Sequence, residues 1–263
     1  MSDEIAAFQP ASATGSLNGL ENLMRMEFRR WWKTGKWWLI SLVFTVLINL
    51  ILAGEAFYEG STLDSVLMIF ATYTGLLPLP GVIIVMQDVI VGERLSGTIL
   101  WIMSKPVTRS AFILAKFIPN MINILVTMIL FPGMVAYFII GFSMHAWLPL
   151  FNCAGAVLVI GLYYMFYVAL ILCLSAFFSK RGVIIAVPVA FAFCQQFLVN
   201  LMPFVFKLMP WTLTIPINDE AASSVVVSIL LGGQIAWSTV ISVSAASIFL
   251  LYAAIWKFKR VEF

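Results

Sequence analysis

Charge is scarce in this 263-residue chain: Lys, Arg, Asp and Glu make up 10% of it, with one histidine and three cysteines. The lone His145 excludes His-rich metal chemistry. Cys153, Cys173 and Cys194 lie in apolar runs with no CxxC or ligand-like spacing, so neither a disulfide nor a metal site is expected. In place of charge the chain is 62% hydrophobic, with a mean hydropathy of +1.04. Soluble domains are roughly 45–50% apolar and about 25% charged. A globule of this size has too little interior to hide so much apolar surface. The soluble classes are excluded, and an all-α integral membrane protein is expected.

A helix needs about 20 mostly apolar residues to cross the hydrocarbon. Six charge-free segments qualify: 37–54, 66–87, 117–142, 151–178, 182–206 and 235–256. A charge at the centre of a span costs roughly 2.5–3.5 kcal/mol on insertion scales. β-barrel alternation is absent, since runs such as LVFTVLINLIL are apolar on every face. Pro78, Pro80, Pro132 and Pro188 fall inside spans, where each removes a backbone donor.

The net charge of +3 reads as topology rather than as nucleic-acid binding. With six spans both termini share a side, and 14 of the 15 basic residues fall there, leaving Lys207 opposite. The positive-inside rule makes that side cytoplasmic. The expected organisation is a disordered cytoplasmic tail over 1–18, an amphipathic helix over 19–36, a six-span domain over 37–257 and a tail over 258–263. The first apolar run is long enough to span, which argues against a cleaved signal peptide.

Leu20, Met24, Phe28, Trp31 and Gly35 form one face of the segment before the first span, and Glu21, Arg25, Arg29 and Lys33 another. Such a helix lies in the headgroup layer, with Arg29, Arg30, Trp31, Trp32, Trp37 and Trp38 as interfacial anchors against membrane lipids. The one long cytoplasmic loop runs from Asp88 to Lys116. Its GERLSGT has two glycines, but Thr98 stands where a phosphate-binding loop needs Lys, so nucleotide binding by this chain is rejected. Leu95, Ile99, Leu100 and Met103 give an apolar stripe on a short helix that should end before Pro106, with Thr108 capping the next. A short rigid helix between two spans can transmit force from a docked partner.

The stretch GERLSGTILWIMSKPVTRSAFILAK resembles the loop of ABC-2 type permeases, the membrane subunits of many ATP-binding-cassette exporters. The family pattern E-x-x-x-G-T, a Leu- or Met-rich turn, S-x-P-V-x-R and a Lys falls on Glu93, Gly97, Thr98, Met103, Ser104, Pro106, Val107, Arg109 and Lys116. The resemblance implies a half-transporter that pairs with a second permease copy or paralogue. Each half docks a separate ATPase subunit that holds ATP and Mg²⁺, so this chain carries no cofactor and is not itself an enzyme. The resemblance further implies a coupling helix between spans two and three, with an ATPase interface at Gly92, Glu93, Arg94, Ser96, Gly97, Thr98, Met103, Lys105, Pro106 and Arg109. The amphipathic segment matches the family's connecting helix, and the cell (inner) membrane is the expected location. Part of the stretch before Ile235 is expected to be re-entrant or interfacial.

Alternatives stand at several residues. Glu93 either pairs with a basic group on the ATPase or caps the coupling helix. Arg94 and Arg109 either contact the partner or only obey the positive-inside rule. Gly97 permits either close docking or a tight loop. Asn49, Tyr73, Gln195, Gln196 and Asn200 line a translocation path or, like Asn123, join helices by hydrogen bonds. A hydrophobic or amphipathic cargo (lipid, drug or peptide) fits the greasy spans. An intramembrane enzyme is disfavoured because no acid lies within a proposed span. A transport-inactive subunit that anchors or regulates a membrane complex keeps the same topology.

Overall fold

The amphipathic pattern before the first apolar run becomes α1 (Leu20–Lys33), whose more buried face carries Leu20, Met24, Glu27, Phe28 and Trp31. The structure is a computed structural model describing residues 17, 19–105, 107–201, 205, 208–216 and 224–260, without the side chains of 195, 196 and 198–201. The expected tail over 1–18 therefore lies almost wholly outside the described residues. Gly35 does not extend α1. It takes φ +65° and turns the chain into α2 (Lys36–Ala56), a left-handed conformation that favours a residue without Cβ. α2 is apolar all round, and Leu42, Val46 and Leu50 are exposed.

α3 (Leu63–Leu76) opens with a reciprocal cap: the Ser65 amide donates to Thr62 Oγ1 and the Thr62 amide to Ser65 Oγ, both at 3.2 Å. α4 (Pro78–Met86) and α5 (Asp88–Leu95) continue it, because the joints at Leu77 and Gln87 keep right-handed helical angles. Pro78 has no N–H for the Thr74 carbonyl. The buried Tyr164 hydroxyl fills that gap, 2.6 Å from Thr74 O and 2.9 Å from Gly75 O.

After α6 (Thr98–Met103), α7 (Arg109–Ile124), a π-helical turn (Leu125–Leu130) and α8 (Phe131–Ser143) form a second continuous stretch. The π turn ends just before Pro132, whose carbonyl accepts from Asn49 Nδ2 at 3.1 Å and so ties α8 to α2. α9 (Leu150–Phe177) is the central post, with Tyr163, Tyr164 and Tyr167 fully buried. Gly161 lets Leu125 of the π turn pack against it, where a Cβ would come within 2.8 Å.

α10 (Arg181–Leu201) is followed by a buried 3₁₀ turn (Pro210–Leu213) and a short buried helix, α11 (Val225–Leu230). Trp211 reaches deep enough for its Nε1 to donate to the Tyr167 hydroxyl at 2.9 Å. The chain thus folds back into the bundle before α12 (Trp237–Lys259), in keeping with the re-entrant expectation.

Among the described residues 82% are helical and none is in a strand. Five helical stretches are long and apolar enough to cross a membrane: Lys36–Ala56, Leu63–Leu95, Arg109–Ser143, Leu150–Phe177 and Trp237–Lys259. Arg181–Cys194 is a shorter apolar helix, and the expected fifth span over 182–206 runs partly outside the described residues. Within 88–116 the expected short helix and the expected Thr108-capped helix are present as α6 and α7, while α5 carries the second spanning stretch on to Leu95. Nothing before Gly97 breaks α5, and the Thr108 hydroxyl caps α7, accepting from the Ala111 amide at 3.3 Å.

Candidate functional site

The amphipathic face of α1 carries an anomaly, since Glu27 sits among its apolar residues. Glu27 is buried because it meets Lys116 of α7, whose Nζ donates to Glu27 Oε1 at 2.5 Å. The same ammonium pairs with Glu93 Oε1 of α5. Lys116 is only 2% exposed and both carboxylates are largely buried, so the ammonium is shielded from water. Breaking a buried ion pair from one side is strongly destabilising, so the triad fixes three helices to one another. Two carboxylates thus share one ammonium.

Further ties surround the triad. Arg94 Nη1 donates to Ser179 Oγ at 2.8 Å, and Arg181 Nε pairs with Asp88 Oδ1 at 2.7 Å. Arg109 Nη1 donates to the Lys259 carbonyl at 2.5 Å, while Phe112 stacks on Phe258 at 5.0 Å. These contacts bring α1, α5, the start of α7, the α9–α10 junction and the end of α12 to one end of the bundle. The basic residues grouped by sequence meet there.

α6 projects from this frame. Gly97 at φ +70° separates it from α5, and a Cβ there would meet nothing within 4 Å, so conformation rather than crowding calls for glycine. The expected stripe is corrected. Ile99 and Ile102 point inward and Met103 is half-buried, whereas Leu95, Leu100 and Trp101 are exposed, Trp101 at 61%. The burying positions recur three apart, as one inward face of a single turn does. Lys105 Nζ lies 3.5 Å from the centre of the Trp101 ring.

The candidate interface residues thus divide. Gly97, Ser96, Thr98 and Lys105 are exposed, with the Ser96 and Thr98 hydroxyls 2.8 Å apart. Gly92, Arg94 and Arg109 are half-buried within α5 and at the start of α7. Glu93 is buried and paired inside the chain, neither surface-directed nor a cap of α6, because Lys116 emerges opposite it on α7. Pro106 lies outside the described residues.

Among the anchors, Arg29, Arg30, Trp32 and Trp38 are exposed and Trp31 and Trp37 half-buried, the Trp32 and Trp37 rings 4.8 Å apart. Asn49 is buried and joins helices. Tyr73 is half-buried on α3, and the side chains of Gln195, Gln196 and Asn200 lie outside the described residues. A separate cavity of about 580 Å³ opens between α3, α8, α9 and α11, and its lining, including Phe70, Tyr137 and Cys153, is almost wholly apolar. Neither Asn49 nor Tyr73 reaches it. Among the described residues no three His, Cys, Asp or Glu groups cluster as metal ligands. Glu27 went unread in the sequence, although an acid between Met24 and Phe28 on an apolar face signals a buried partner.

A helical bundle with five helices of spanning length defines an integral membrane protein. The chain belongs to the ABC-2 family of transporters: the family described as ABC-2 family transporter protein matches residues 23–198, two thirds of its length. The match takes in most of α1, all three triad residues and most of α10. This makes the chain a permease subunit of an ABC transporter. Comparison with curated proteins finds no match.

Proposed function

We propose that this chain is one membrane half of an ABC exporter in the cell (inner) membrane, with six spans and both termini cytoplasmic. It pairs with a second copy or paralogue and docks separate ATPase subunits, which bind ATP and Mg²⁺ and perform the hydrolysis. Family membership implies ABC ATPase partners in general. The observation that carries the reading is α6, a short helix with outward Leu95, Leu100 and Trp101 beside it or on it, set on a frame clamped by the Lys116 triad. A protruding apolar tip on a rigid base suits a groove in a partner, and closure of two ATPases then rocks the two membrane halves for alternating access. The apolar cavity supports a hydrophobic or amphipathic cargo such as a lipid, drug or peptide.

The test is mild-detergent purification from the native host of the wild type and Trp101→Asp, with identification of co-eluting chains. A stoichiometric Walker-containing ATPase that is weakened by the substitution supports the proposal. Equal retention removes α6 as the docking element. No ATPase under several gentle conditions favours an anchoring or regulatory subunit.

A further inference from the structure

The apolar cavity between α8 and α9 is a slot of definite length. Its lining runs from Leu130 of the π turn to Ile140 on α8, and from Leu150 to Ile160 on α9. Ten residue steps of helix on each wall make it about 15 Å long and parallel to the spans. Its volume is about 580 Å³, and among its lining side chains only the Tyr137 hydroxyl and the Cys153 thiol are polar.

The slot is held open from outside. α8 packs along α2, to which the Asn49–Pro132 bond ties it. Trp147, in the connection to α9, covers Gly141, where a Cβ would come within 2.6 Å of its ring. The same ring packs against Tyr137 and Phe138, at 5.5 and 6.4 Å between centroids, and so braces two aromatics of the slot wall. Gly133 lies in that wall too, and a Cβ there would meet nothing within 4 Å. The protein thus leaves room that a larger apolar side chain could fill. An empty apolar slot forfeits the dispersion contacts of its lining, which an occupant of the right shape restores.

The lining decides among occupants. A helical peptide, about 10–12 Å across with its side chains, is too bulky for this volume. An extended peptide brings backbone donors and acceptors that two polar side chains cannot satisfy. A drug-like molecule is oriented by several placed polar groups, and the same shortage meets it. A single hydrocarbon tail needs no polar partner and runs the length of the slot. At its Ile140 and Leu150 end the slot reaches the α8–α9 corner, where His145 is exposed and a polar head can leave the bundle.

We propose that this slot is the tail subsite for an amphiphilic cargo: it takes one hydrocarbon tail of a lipid between α8 and α9, with the head at the α8–α9 corner. The proposal rests on the cargo reading given above and narrows it from lipid, drug or peptide to a tailed lipid.

The permease, with the ATPase that co-purifies, is placed in dioleoylphosphatidylcholine nanodiscs with a palmitoyl lysophosphatidylcholine that carries a diazirine at mid-tail. Photolysis and peptide mapping then read where the tail lies. Labelling is expected to concentrate around Gly133, Tyr137 and Ala154, above the level at Ile248 and Phe249 of α12, exposed residues that any bilayer lipid touches. Unlabelled palmitoyl lysophosphatidylcholine competes at the slot, whereas glycerophosphocholine, which lacks the tail, does not. Gly133→Leu fills the slot from within and lowers slot labelling about tenfold, as extra methylenes forced into occupied space do, with α12 labelling unchanged. Ala154→Phe fills it from the opposite wall and decides should Gly133→Leu fail to fold. Trapping with ATP and vanadate empties a cargo subsite and lowers slot labelling in the wild type. Equal labelling of slot and α12, or full slot labelling in the folded variants, overturns the tail site and leaves the broader cargo reading to reconstituted transport. Slot labelling that the variants abolish and nucleotide leaves unchanged marks a resident bilayer lipid and overturns the cargo assignment.

Discussion

Tyr164 of α9 places its hydroxyl 2.6 Å from the Thr74 carbonyl, the group that Pro78 leaves without its helical donor. A proline break in one spanning stretch is thereby matched by a donor from the central post, and α3, α4 and α9 are held in one register.

Tyr164→Phe should lower stability by about 1–3 kcal/mol, the cost of leaving a buried acceptor unpaired. Adding Pro78→Ala restores an N–H at position 78 and should recover most of that loss. A double-mutant cycle from thermal melts in detergent reads the coupling; purely additive effects count against this pairing.

Lys116→Ala strands two buried carboxylates and should destabilise by about 3–5 kcal/mol. The triple change Lys116→Met, Glu27→Gln and Glu93→Gln removes the charges together and should be much closer to the wild type. Denaturation midpoints compare the two, and a mild effect of Lys116→Ala would mean that water reaches the triad.

At Gly97, φ +70° with open space around the Cβ position makes the cost of Gly97→Ala conformational, about 1–2 kcal/mol. The loss should be confined to the α5–α6 joint. Hydrogen exchange should rise in Thr98–Met103 while α5 stays protected, and spreading of exchange into α5 would show that the two helices move as one.

Asn49→Leu removes the bridge to Pro132 and should cost about 1 kcal/mol. If Asn49 lined the transport path instead, the variant would alter cargo handling with stability unchanged, as reconstituted transport and melting curves would together reveal.

Much of the architecture is legible in the sequence because membrane spans are set by length and apolarity, two properties read along one chain. The segments around Trp37, Val66, Phe117, Phe151 and Ile235 each fall in a helix long enough to cross. The Thr108 cap was legible for the same reason, since a cap is local. The site was less legible because its determinants are not local. Glu27 and Lys116 are 89 residues apart, and only the meeting of α5 with α7 at Lys116 shows that Glu93 turns inward. The apolar stripe over 95–103 differs because Leu95 lies on α5, before the Gly97 turn, and in a helix as short as α6 the frame beneath decides which side is covered.

The triad also bears on biosynthesis. Glu27, Glu93 and Lys116 all lie in the first 116 residues, so the cluster can close once the ribosome has delivered the start of α7. Until then α1 and α5 each hold a carboxylate that has no counter-ion from this cluster. Arrival of Lys116 allows both to settle against α7, before α9, the post that later organises the bundle, has been made. The early half of the chain therefore carries its own checkpoint, and a nascent chain halted just short of Lys116 should be far more open to protease at α1 than one halted a few tens of residues later.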